Sequence, residues 1–319
     1  NYFNKITKFI KKNRKTSCDK SIELFKLLPG GLTFLDVGAS GGIEPRWERV
    51  SKYLNYIGVE SDSRSIEGLE NKNIFKSTKI MNTFAWCDEK EIEFNLCKKP
   101  MVSSAYTPNR ELLDQFQGSQ RFEVLKKEVL RGTPLSKEIG GQEIDFVKLD
   151  IQGGELNALE GFGESLNSCL GLEIEVEFAE IYKSQPLFGD IHNYLSSKGF
   201  YFCEFLDMTR WERYSRTDFG RCMFSNGLWM RELKTIESKD INTYLKYAAI
   251  CSIYGRPEEA IHTTQLIRKE VPQEFTKTLK EQLKLQRKER RIFYLLRKLW
   301  RLYLPKSSII LFENSFPIM

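Results

Sequence analysis

The sequence predicts an α/β protein with a doubly wound, mostly parallel sheet, followed by an all-helical C-terminal extension. Three observations carry this. Between Leu32 and Met230, short apolar runs alternate with helical patterns of about 8 to 12 residues, as strands joined by crossover helices do. The first run ends in a glycine-rich turn, Gly38 to Gly42, that leads into the next helical pattern. After Glu232 the strand-like runs stop and only helical periodicity continues.

Residues 1–28 read as a basic helical segment, because Phe3, Ile6, Phe9 and Ile10, then Ile22, Phe25 and Leu28, recur at helical spacing before Pro29-Gly30-Gly31 breaks the pattern. Residues 29–232 form the α/β domain. Its expected strands are Leu32 to Val37, Tyr56 to Glu60, Ile80 to Ala85, Ile144 to Asp150, Leu172 to Phe178, Phe200 to Leu206 and Arg221 to Met230. Helices are expected at Pro45 to Tyr53, with proline in its first turn, and at Ser63 to Glu70, Gly154 to Leu159 and Leu187 to Ser197. Residues 233–319 form the helical extension, with helices near Ile241 to Tyr254, Glu258 to Lys269 and Gln273 to Leu304. The stretch from Tyr247 to Ile261 looks like one tetratricopeptide-type hairpin. A single repeat cannot bury its own face and needs a partner surface.

The chain has 319 residues, 41% of them hydrophobic, enough for a large core. No stretch reaches the roughly 18 to 20 apolar residues that span a bilayer, and the first residues lack a signal-peptide pattern, so a cytoplasmic location is expected. Seven scattered cysteines, none in a C-x-x-C pair, point to reduced thiols. With two histidines, no Cys/His metal site is expected. The net charge of +6 is uneven. Lys277 to Lys306 holds 11 basic and 2 acidic residues, which leaves 38 basic and 41 acidic residues elsewhere. That slightly acidic body argues against a nucleic-acid partner. The basic stretch, interleaved with apolar residues, has the character of a helix docking peripherally on an anionic membrane surface, at its inner face, or on a protein. A helix packing its apolar stripe on the domain explains the pattern equally.

Chemistry is expected beyond the carboxyl ends of the strands. The first candidate is Phe34-Leu-Asp-Val-Gly-Ala-Ser-Gly-Gly42, where Gly38, Gly41 and Gly42 let backbone approach a ligand, with Asp36, Ala39 and Ser40 beside them. The second is Glu60, 22 residues after Gly38, placed to accept both ribose hydroxyls of an adenosine cofactor. A dinucleotide fingerprint needs glycine at 40 and 43, where this chain has Ser40 and Ile43. The loop instead looks like motif I of S-adenosylmethionine methyltransferases.

The third candidate is Val147-Lys-Leu-Asp-Ile-Gln-Gly-Gly-Glu-Leu-Asn-Ala-Leu-Glu-Gly161. It resembles the signature of the FkbM methyltransferase family, with Asp150, Gly153, Glu155, Leu159 and Gly161 on the motif and Gln152 where many members carry glutamate. Val102-Ser-Ser-Ala-Tyr-Thr-Pro-Asn109, Glu175-Val-Glu-Phe178 and Gln185-Pro-Leu-Phe-Gly-Asp-Ile191 extend the resemblance over about two thirds of the chain. Thr133-Pro-Leu-Ser136 departs from it, as does the helical C-terminus. The resemblance implies a seven-stranded Rossmann-like class I methyltransferase domain that uses S-adenosyl-L-methionine. It also implies a sugar, glycan or polyketide-like hydroxyl acceptor, a role in polysaccharide biosynthesis included.

On this reading Asp36, Gly38, Ala39, Ser40, Gly41, Gly42, Glu60 and Asp150 hold the cofactor, with Trp86 stacked on its adenine. Asp150 and Glu155 are the catalytic candidates, because a carboxylate that takes the acceptor's proton adds rate. Asp150 reads equally as a cofactor-positioning residue, and Glu155 as a charge favoured at a helix N-terminus. Ser103, Ser104, Tyr106, Glu175 and Glu177 are the acceptor-binding candidates. Two other readings stay open: an N-methyltransferase, and a non-catalytic scaffold that reuses the fold. The first lacks support in Asp150-Ile-Gln-Gly153, which stands where a D/N-P-P-aromatic tetrad is usual.

Overall fold

A computed structural model describes residues 2–61, 74–214, 220–236, 240–267 and 270–303. The chain forms two compact units: Gly31–Ser238, and a second built from residues up to Gly30 together with those from Lys239 onward.

The larger unit is organised by one sheet. Strands β1 (Leu32–Val37), β2 (Leu54–Glu60), β3 (Ser77–Asn82), β7 (Phe146–Leu149) and β8 (Gly171–Glu177) run parallel in the order β3-β2-β1-β7-β8. The long strand β11 (Arg221–Arg231) lies antiparallel to β8. Its other edge carries β9 (Phe200–Phe205) along one half and the short β10 (Thr209–Trp211) along the other. Eight strands thus fill the seven expected positions, because β9 and β10 share one edge of β11. The expected strand ending at Ala85 is split. At Thr83 the backbone N–H donates to Glu60 O, and the chain then leaves the large sheet as β4 (Phe84–Ala85).

β4 joins a second, three-stranded sheet, β4-β6-β5, with β5 (Glu91–Cys97) and β6 (Val124–Thr133) antiparallel. Neither strand is among those expected, although Glu91 to Leu96 of β5 alternates polar and apolar residues. Both faces of β6 are largely exposed, so it carries no clean apolar alternation.

Packing on the two faces of the large sheet differs. One face presents Leu35, Val37, Val147, Leu149 and Ile174 to two helices, α5 (Glu155–Phe162) and α6 (Phe188–Ser197), through Ala158, Leu159, Phe162, Ile191 and Leu195. Each fully buried Leu, Ile or Phe is worth roughly 1.5–3 kcal/mol. The other face is aromatic: Trp47 lies 4.7 Å from both Phe34 and Phe146. The expected helix from Pro45 to Tyr53 is cut to α2 (Pro45–Glu48) plus a 3₁₀ turn, Ser51–Tyr53, because burying Trp47 and Val50 bends the chain directly into β2. The helix expected at Ser63 to Glu70 lies outside the described residues. Short helices α3 (Arg110–Leu113) and α4 (Leu135–Ile139) complete the unit.

In the second unit α1 (Tyr2–Lys26) packs with α7 (Ile241–Ile253), α8 (Pro257–Leu266) and α9 (Gln273–Tyr303). The α7–α8 hairpin finds its partner surface here, between α1 and α9. Gln282 accepts from Ser252 Oγ at 2.7 Å and donates to Ser21 Oγ at 2.9 Å, a buried network that joins three helices. Such networks favour one packing, since a shifted register strands their polar atoms. Among the described residues no helix is long and apolar enough to cross a membrane.

Gly161 marks a tight seam of the larger unit, for a Cβ there would stand 2.2 Å from the Trp86 carbonyl oxygen. Gly161→Ala should lower stability by about 1–3 kcal/mol or more, read as a lower Tm, since backbone cannot yield as a side-chain tip does. An unchanged Tm would show that α5 shifts freely over β4.

Candidate active site

A cleft of about 580 Å³ opens along the carboxyl ends of β2, β1, β7 and β8. That size suits a small-molecule site. Strand order reverses between β1 and β7, where open α/β sheets bind ligands.

The glycine turn forms one wall. Gly38 has φ +84°, and a Cβ there would come within 1.9 Å of Asp150 O. Only glycine allows this approach, which brings the turn after β1 against the end of β7. Gly38, Ser40, Gly41 and Gly42 line the cleft, while Ala39 is buried behind them. Glu60, at the end of β2, also lines it and accepts the Ser61 N–H at 2.9 Å.

Asp36 does not reach the cleft. It is fully buried, accepts from the Tyr56 hydroxyl at 2.9 Å and lies 3.9 Å from Lys148 Nζ. Burial pushes its carboxyl above the usual range, with Lys148 and Tyr56 opposing. Burial also works against the Lys148 ammonium, but Asp36, Asp150 and Glu173 outweigh it and raise its pKa. Lys148 thus stays charged, 3.7 Å from Asp150, and ties the two aspartates together.

Asp150 lines the cleft beside Gln152. Gln152 has φ +55°, a backbone region that non-glycine residues occupy at a strain of roughly 1–3 kcal/mol. The surrounding bonds hold it there. Its amide nitrogen donates to Asp150 Oδ1 at 3.0 Å and to Glu175 Oε1 at 2.8 Å, and its amide oxygen lies 3.0 Å from the Tyr182 hydroxyl. Glu175 and Glu177, on β8, both line the cleft. Burial, reinforced by neighbouring carboxylates, pushes both well above the usual glutamate range. Glu177 Oε2 is buried without a hydrogen-bond partner.

Of the remaining candidates, all but Ser103 stand behind this lining. Ser103 is in the cleft, and its Oγ accepts the Cys97 N–H. Ser104 is buried and donates to Gln152 O at 2.6 Å, and Tyr106 donates to Asn157 at 2.7 Å. Both brace the 150–157 turn. Trp86 is 6% exposed, stacks on Phe84 and lies outside the cleft lining, so the core takes its ring. Glu155 is likewise buried, accepting the Ile151 N–H at 2.7 Å. Sequence reasoning missed Lys148, Gln152, Tyr182, Arg121 and Trp211 as site residues. Lys148 alternates with Asp150 on one strand and so shares its face, a signal that was present. Arg121 and Trp211 reach the cleft from distant segments with no local mark. Among the described residues no group of three or more His, Cys, Asp or Glu side chains is arranged to hold a metal ion.

Burial pushes the Glu155 carboxyl up to about 7. The folded chain therefore keeps a proton there that the unfolded chain releases in the ordinary glutamate range. This group's contribution to stability falls as pH rises from about 4.5 to about 7. Glu155→Gln keeps an oxygen for Ile151 and cannot ionise. Its Tm should drop less than that of the wild type between about pH 5 and pH 7.5; parallel curves would mean that Glu155 is already ionised when folded.

The family profile described as the Methyltransferase FkbM domain matches residues 36–202. No curated protein matches the chain in sequence. Among solved structures it is similar in fold to TrmK of M. capricolum in complex with S-adenosyl-homocysteine, at 9% identity, covering 84% of this chain and 96% of that one, with a TM-score of 0.30. An rRNA methylase from Streptococcus thermophilus is similar at 10% identity, 67% and 93% coverage and a TM-score of 0.33. The plantazolicin methyltransferase BpumL, in complex with S-adenosyl-homocysteine, is similar at 12% identity, 72% and 90% coverage and a TM-score of 0.31. Likenesses this distant say nothing of the acceptor. The family match takes in more than half of the chain, including the glycine turn, Glu60 and the Asp150–Gly161 segment, and the chain belongs to the FkbM methyltransferase family.

Proposed function

We propose that this S-adenosylmethionine-dependent methyltransferase methylates a hydroxyl of a sugar, glycan or related small acceptor. The observation that carries the reading is the place of Asp150: one cleft holds it between the glycine turn with Glu60 on one side and Glu175 with Glu177 on the other.

The residues fit the cofactor. Gly38, Gly41 and Gly42 offer bare backbone, and Glu60 stands a strand away, where a carboxylate accepts a ribose diol. Ser40 contributes a hydroxyl at the same wall. Asp36 and Ala39 support the turn from behind. When bound, S-adenosylmethionine supplies an electrophilic methyl group. The protein's task is then to hold an acceptor oxygen in line at about 3 Å and to receive its proton. Asp150 is the group for the proton. Gln152 fixes one of its oxygens and Lys148 balances its charge. Glu155 acts through the backbone of the 151–155 turn, as a positioning residue. Glu175, Glu177 and Ser103 face the acceptor, and a wall of carboxylates suits hydroxyl groups as donors. The carboxylates gathered around Asp150 also support a small acceptor over nucleic acid, whose phosphates they would repel. The basic helix α9 supports peripheral docking on an anionic membrane. Salt-reversible sedimentation with phosphatidylserine vesicles is the expected result, and no sedimentation at low salt would reject it.

Calorimetry with S-adenosylmethionine, followed by methyl transfer to a panel of sugars and oligosaccharides, tests the core of the reading. Glu60→Ala should weaken cofactor binding about tenfold or more. Asp150→Asn should leave that affinity within about threefold while lowering kcat by about 10²–10⁴. Transfer to amines or RNA in place of hydroxyls, or full activity in Asp150→Asn, would overturn it.

A further inference from the structure

The end of the cleft farthest from Glu60 has a character that the methyl-transfer machinery does not use. Arg121 lines it, with its guanidinium 4.7 Å over the Trp211 ring and 4.9 Å over Phe122. Among the described residues no carboxylate pairs with it, and its nearest acceptor is the Gly118 carbonyl at 3.5 Å. Lys99 lines the same end, tied to Arg121 by a backbone hydrogen bond of 3.1 Å. Apart from the buried Lys148, which Asp36 and Asp150 flank, the cleft is therefore divided by sign: carboxylates at β7 and β8, cations beside Trp211 of β10.

We infer that the acceptor is an anionic sugar or glycan, whose phosphate or carboxylate is bound by Arg121 and Lys99 while the hydroxyl to be methylated meets Asp150. This rests on the O-methyltransferase reading above and narrows its acceptor class. Three physical points support it. Partial burial disfavours the Arg121 charge, and no acid offsets that loss. Two aromatic faces hold the guanidinium plane, which leaves its N–H fork for a planar or tetrahedral anion. Its place also separates it from the cofactor wall: Glu60 ends β2, whereas β7, β8, β11 and β10 are successive neighbours leading away from it. Asp150 ends β7, three strand spacings from β10, so with strands about 4.8 Å apart the methylated hydroxyl and the anionic group are on the order of 10–15 Å apart. An acceptor of at least two linked sugar units spans that distance.

The test uses the full chain saturated with S-adenosyl-homocysteine. Glucose 1-phosphate, glucuronic acid, cellobiose and the acidic disaccharide cellobiouronic acid are titrated into wild type, Arg121→Met and Arg121→Lys. Arg121→Met keeps the stem over Trp211 without charge, and Arg121→Lys keeps charge without the fork. The expected result is binding of a charged probe, with neutral cellobiose at least about tenfold weaker. Arg121→Met should abolish this preference, and Arg121→Lys should keep part of it, while S-adenosyl-homocysteine affinity and Tm stay unchanged. Whether the phosphate or the carboxylate probes bind better identifies the anion. Equal binding of charged and neutral probes, or an Arg121→Met variant that keeps the preference, overturns the inference and leaves the methyltransferase reading standing. Loss of S-adenosyl-homocysteine affinity in Arg121→Met overturns it too, by assigning the guanidinium to the cofactor. Absence of S-adenosyl-homocysteine binding in the wild type would instead overturn both readings.

Discussion

The site depends on the close approach between Gly38 and the carbonyl of Asp150, where a single Cβ would intrude to 1.9 Å. That contact joins two segments more than a hundred residues apart. It is made at the point where the sheet changes direction, with β1 leading toward β2 and β7 toward β8. The Gly38 N–H donates to Val59 O and the Asp150 N–H to Val37 O, both at 3.0 Å, so the strand ends are locked to the ladder up to their last residues. The glycine turn, Glu60 and Asp150 thereby become walls of one cleft. The buried sheet beneath, with its aliphatic and aromatic faces, makes that geometry rigid.

Electrostatics finishes what packing begins. Several carboxylates converge near the end of β7 and β8, an arrangement that like-charge repulsion opposes. The structure accommodates them by three means. Lys148 sits between Asp36 and Asp150 as a buried counter-charge. Gln152 accepts backbone strain so that one amide can donate to both Asp150 and Glu175. Burial raises the pKa values of Glu155, Glu175 and Glu177, which favours their neutral forms.

The smaller helical unit follows a different logic. Its four helices bury an apolar interior threaded by the Ser21–Ser252–Gln282 network. The hairpin that resembles a lone tetratricopeptide repeat gains its missing surface from α1 and α9. The N-terminal helix, which reads as a separate segment in the sequence, is thus an integral layer of the C-terminal helices.

By itself, the sequence determined the order of strands and helices in the parallel sheet, the glycine turn, Glu60 and the Asp150–Gly161 segment. Each of these is a local pattern: a buried parallel strand is a short apolar run, and a turn that needs positive φ needs glycine. Only the tertiary structure decided the rest. β6 has two largely exposed faces that leave no clean alternation to read, whereas the alternation of Glu91 to Leu96 in β5 was legible in the sequence and passed over. Trp86, Glu155 and Asp36 have the chemistry of site residues, yet burial turns them into supports. Lys148 and Gln152 matter through bonds to Asp36, Asp150 and Glu175, partners that only the sheet order brings near. Arg121 meets Trp211 across ninety residues of chain. Local sequence encodes backbone conformation, whereas a binding site is made of side chains whose neighbours are chosen by long-range packing.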